Sequence, residues 1–132
     1  MATRLHACDA ATVRGRLAKA EQFLEVAENT RDFVDDEAEV GDALVSLYVL
    51  AGIAASDVLC CKALGHYVQG DDQQAVAELS KVTPGGKGFG KDLRALLVLK
   101  SRAGYGATSV RTDDRKRAQR RAESLVEAAR SR

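Results

Sequence analysis

The sequence predicts an all-α fold, a single bundle of four longer helices and one short helix. Three observations carry that expectation. An apolar fraction of 45% with only 5% aromatic residues means a core of Ala, Val and Leu, which suits closely packed helices better than a sandwich. Apolar residues recur at helical spacings of three and four along most of the chain. One Pro and no Trp in 132 residues leave long stretches free of helix breakers. A chain of this length supports one domain, residues 1–132 with a core from about 10 to 130, and buries roughly two thirds of its unfolded surface.

Val13, Leu17, Ala20, Leu24 and Ala27 fall on one face of a first helix from about Ala10 to Thr30, with Asp9 as its N-cap. Asp35, Asp36, Glu37 and Glu39 then open a second helix, because carboxylates in a first turn complement the helix dipole. That helix runs to about Gly65 and is apolar almost all round from Ala43, so it should be the central, most buried element. Gly52 with Ser56, and Ala51 with Ala55, mark a face where a neighbouring helix can come close. Asp71 followed by Gln74 resembles a capping box for a short helix carrying Val76 and Leu79, ending near Val82. Thr83 to Gly88 reads as a helix-breaking loop, and a fourth helix runs from Phe89 to Tyr105 over Leu93, Leu96, Leu97 and Ala103. Thr112, Asp113 and Asp114 start the last helix, whose buried stripe is Ala118, Ala122, Leu125 and Ala129.

A net charge of +1 conceals a division of the chain. Residues 1–80 hold 6 basic and 14 acidic side chains, residues 81–132 hold 14 and 5. Such a split serves internal docking, head-to-tail association or recognition of a polyanion. Cys8, Cys60 and Cys61 have no metal-ligand spacing and read as small core residues, so no metal and no cofactor is expected. The N-terminus lacks an apolar leader, and the longest uncharged run of the central helix, Ala43 to Ser56, is shorter than the ~20 residues a bilayer needs. A cytoplasmic protein with no membrane association follows.

Several residues ask for chemistry. Gly85-Gly86-Lys87-Gly88-Phe89-Gly90-Lys91-Asp92 fits the phosphate-loop pattern except at its last position, where Asp92 replaces the magnesium-binding hydroxyl. No strand precedes it, so it reads as a connector. Asp57 on the apolar helix needs a cation or several donors, for which Lys100 and above all Arg102 are the candidates. Lys100, Arg102 and Tyr105 sit together at the end of the apolar segment Leu96 to Gly106. With His66, itself better read as a partner of its helix C-terminus, they are the catalytic candidates if any catalysis exists. Arg115, Lys116, Arg117, Arg120 and Arg121 put five cations within seven residues. They suit nucleic-acid phosphates or, with Asp113, Asp114, Glu123 and Glu127 nearby, a solvated helix face.

Ala51 to Gly65, Gly70 to Leu79 and L-L-x-L-K-x-x-A-x-Y-G at Leu96 to Gly106 resemble small bacterial HEPN-type proteins over roughly residues 10–130. The resemblance implies an up-and-down bundle that dimerises, in a superfamily of RNA-cleaving toxins, defence proteins and nucleotide-associated modules. Its catalytic members carry Arg-x(4–6)-His. Here Ala107, Thr108 and Ser109 stand where the His would fall after Arg102, and His6 and His66 lack a preceding Arg at that spacing. The resemblance therefore implies a non-catalytic or degenerate HEPN-like interaction module, a homodimer that binds RNA or an antitoxin-like partner in a toxin–antitoxin or defence system. The competing readings are a ribonuclease with an atypical site around Arg102 and Tyr105, and a purely structural subunit.

Overall fold

A computed structural model describes residues 4–132. Among them are four long helices, α1 (Ala10–Phe33), α2 (Gly41–Leu64), α4 (Gly86–Tyr105) and α5 (Thr112–Ser131), the short α3 (Asp72–Leu79), and two short strands, β1 (Leu5–Ala7) and β2 (His66–Val68). The all-α class holds. α2 lies at the centre, packed on α1, α4 and α5, and 15 of its residues are buried. The segment Glu37–Leu64 is long and apolar enough to cross a membrane by composition alone, and 78% of its most apolar window lies inside the fold.

The starts of α1 and α3 follow from side-chain caps. Asp9 accepts from the Thr12 amide at 2.7 Å, and Asp71 from the Gln74 amide at 3.0 Å, each taking up an amide that the helix itself leaves unpaired. The acidic stretch before α2 departs from expectation. Asp36 caps a separate 3-10 turn, Glu37–Val40, and α2 begins only at Gly41, so the central helix is 24 residues rather than nearly thirty. Its predicted close-packing face is real. Ala51 and Ala55 are fully buried, and a Cβ on Gly52 would run into Leu96 of α4. On α5 the stripe Ala118, Ala122, Leu125 and Ala129 is wholly buried, as its spacing required.

The glycine run at 85–90 is a second departure. It is not a loop: α4 begins at Gly86, and the Phe89 amide already donates to the Gly85 carbonyl. Its glycines serve packing. A Cβ at Gly86 would lie 2.5 Å from the Ser80 carbonyl oxygen, and one at Gly90 would meet the Ser80 hydroxyl. Small residues therefore let the first turns of α4 press on the end of α3.

The cysteines give a third. Cys60 is a buried free thiol, as expected, but Cys8 and Cys61 are joined in a disulfide with Cα atoms 5.6 Å apart. The bond ties the start of the chain to the end of α2, where β1 pairs antiparallel with β2 in the register Leu5↔Val68. The reading of Cys8 and Cys61 as small core residues is corrected by it.

Candidate functional site

Over the middle of α2, side chains from α1, α3, α4 and the β2–α3 segment surround a cavity of about 220 Å³. Ile53, Leu93, Leu97 and Ala75 give it an apolar wall. Arg16, Asp57, Ser56, Tyr67, Gln69, Asp71 and Asp72 give it a polar one. Asp57 points from α2 and is 7% exposed. Arg16 reaches it from α1, with Nε and Nη2 at 2.9 Å and 2.7 Å, both on the single oxygen Oδ2.

Burial pushes the Asp57 carboxyl up to about 6, against the opposing pull of the Arg16 guanidinium. The adjacent Cys60 thiol is pushed up to about 12, by burial first and by the negative charges of Asp57 and Glu78 after it. It stays protonated at neutral pH and is no nucleophile there. Behind the cavity, the buried Glu78 accepts from His66 Nε2 at 3.2 Å and pairs with Lys81 at 2.6 Å. Its carboxyl is held below the usual range, mainly by the Lys81 hydrogen bond.

The Asp57–Arg102 pair expected from the sequence does not form. Arg102 faces α5, 3.5 Å from Asp114, and Lys100 faces α3, 3.1 Å from Asp72. The two cations thus leave opposite sides of α4, and neither reaches the middle of α2. Arg16 was passed over, although it precedes Ala20 by four residues and so continues the inward stripe of Ala20, Phe23 and Ala27. That spacing was the available signal. The four catalytic candidates are likewise dispersed: Tyr105 is 88% exposed at the end of α4, and His66 is bound to Glu78.

The five cations of α5 divide into two kinds. Arg115 is held by Glu37 at 3.4 Å and Thr112 at 2.9 Å, and Arg121 holds the buried Asp92 of α4 at 2.7 Å. Lys116, Arg117 and Arg120 are exposed, with no ion pair among the described residues. Arg117 follows Asp114 by three and precedes Arg121 by four, and both of those neighbours touch α4, so Arg117 lies at the α4 edge of α5.

The sequence reading missed a surface on α4, whose Arg94 and Val98 share a depression with Asp72 of α3. Lys87, Lys91, Arg94, Val98, Arg102 and Tyr105 are all exposed and recur every three or four residues along the outer face of α4, with no acidic residue among them. In the structure Asp92 is spent on Arg121, while Lys91 points out among the cations. Among the described residues no group of three His, Cys, Asp or Glu side chains is placed to hold a metal ion.

Comparison with protein-family models, with curated proteins and with solved structures returns no match.

Proposed function

We propose that this chain is a HEPN-like helical interaction module that docks a polyanion, RNA foremost, on the outer face of α4 and α5, without phosphodiester cleavage of the Arg–His kind. The observation that carries the reading is the exposed stripe of α4, of which Arg102 alone is ion-paired among the described residues, together with the exposed Lys116, Arg117 and Arg120 of α5. Fixed cations at helical spacing match a phosphate backbone, and Tyr105 offers one exposed ring for stacking. The dispersal of Lys100, Arg102, Tyr105 and His66 over separate partners weighs against the ribonuclease alternative. Pairing of two copies, and an antitoxin-like protein partner, belong to the same proposal. Val26, Phe33 and Leu50 are exposed apolar side chains on α1 and α2, the helices not used by the cationic face.

Filter binding of single-stranded RNA tests it. Affinity is expected to fall steeply with salt and to depend little on sequence, because each neutralised phosphate releases condensed counterions. Replacing Lys91, Arg117 and Arg120 by Gln should lower the log–log salt slope by about 2, at ~0.7 per lost single-strand contact, with the circular-dichroism spectrum unchanged. Absence of RNA retention by the wild-type chain at low salt overturns the reading.

A further inference from the structure

We propose that the cavity over Asp57 is a binding site for a small organic cation, an ammonium or amidinium group carried on a compact apolar body. The inference does not rest on the polyanion reading. Both Arg16 contacts fall on Asp57 Oδ2, and no bond reaches Oδ1 among the described residues, so a buried carboxylate lining the cavity keeps an acceptor in reserve. Oδ1 is not among the fully buried oxygens left without a partner, so it opens onto the cavity, where an N–H cation can donate to it.

The surroundings favour that charge. Among the described residues Arg16 from α1 is the cation in the cavity wall and Arg4 lies at its rim beside Gly70, against three carboxylates in the wall: Asp57, Asp71 and Asp72. Asp72 is taken by Lys100 of α4 at 3.1 Å, and Asp71 spends only Oδ1, on the Gln74 amide. The Cys60 thiol is uncharged at neutral pH, since burial pushes it up to about 12. Leu93 and Leu97 of α4, with Ile53 one turn before Asp57 on α2, offer an apolar wall and no further donor, and about 220 Å³ accommodates a ligand the size of one substituted ring.

Benzamidinium is a suitable probe, with neutral benzamide as its shape control, each titrated calorimetrically into the full chain. Benzamidinium is expected to bind at pH 7.5 with a Kd of about 1 mM or better, and benzamide at least tenfold more weakly. Because the bound cation requires the ionised carboxylate, affinity should fall about tenfold at pH 5, one unit below the Asp57 value of about 6. Asp57→Asn should weaken binding at least tenfold. Leu97→Trp, which fills the cavity and leaves the carboxylate in place, should abolish it. The proposal is overturned if folded wild-type protein gives neither heat nor a thermal shift with ~10 mM benzamidinium. It is equally overturned if benzamide binds as well, or if Asp57→Asn binds undiminished. Should Asp57→Asn fail to fold, the pH comparison on the wild type decides alone: equal affinity at pH 5 and 7.5 excludes Asp57 as the partner.

Discussion

At Asp57 two effects oppose each other: desolvation raises the carboxyl toward about 6, and the Arg16 guanidinium pulls it down. Below the ordinary value of 3.8 the group is protonated in folded and unfolded chains alike. Between 3.8 and about 6 the unfolded chain ionises first, so folding loses stability as pH rises through that window, by on the order of 3 kcal/mol in all. Asp57→Asn should remove this loss, which urea melts from pH 4 to 7.5 will read as a flatter stability profile. Arg16→Met has the opposite character. At pH 8 it strands a buried carboxylate and should cost ~3 kcal/mol or more, whereas at pH 5 the protonated group needs no cation and the cost should shrink. The same residues mark what a sequence can disclose at this scale. That Asp57 needs a partner was legible from an acid on an apolar helix. Its choice of Arg16 over Lys100 or Arg102 depends on how α1 and α4 are rotated about their axes, which charge counting does not reveal.

At the scale of the element, the first turn of α4 holds two glycines of opposite worth. A Cβ at Gly86 meets the Ser80 backbone, so Gly86→Ala should force α3 and α4 apart and cost ~1–3 kcal/mol. Gly88 has nothing within 4 Å and lies exposed on the same helix, so Gly88→Ala should stabilise by up to about 1 kcal/mol through helix propensity alone. Denaturation midpoints of the two variants should therefore move in opposite directions. α1 and α3 were legible in the sequence because their caps and apolar stripes agree, and α5 because its first-turn acids and apolar stripe do. The start of α4 was not, since glycines chosen for close approach look the same as glycines chosen for a turn. The β1–β2 pair escaped for another reason. Strands of three residues are too short for an alternating pattern, and what aligns them is the Cys8–Cys61 bond beside them.

Across the whole molecule, the charge division seen in the sequence survives folding as a cationic outer face on α4 and α5. It survives incompletely, because Arg115 and Arg121 are drawn inward to Glu37 and Asp92. The position of each cation around its helix could be worked out from spacing, but its recruitment by a partner on another helix could not. The disulfide is a whole-molecule feature too, spanning 53 residues of sequence. By the chain-entropy account, reduction should cost about 4 kcal/mol, visible as a lower melting temperature in dithiothreitol that the Cys8→Ser variant reproduces without reductant. The bond has a mechanical consequence as well. When the two ends of the chain are pulled, tension entering at residue 8 crosses the sulfur bridge directly to residue 61 and bypasses α1 and most of α2. α1 and the part of α2 before residue 61 carry no direct load while the bridge is intact, so the loaded elements are those that follow it, α3, α4 and α5. Cleaving it should release about 180 Å of additional contour length in a single-molecule stretching trace, from the 53 residues it short-circuits at ~3.5 Å each.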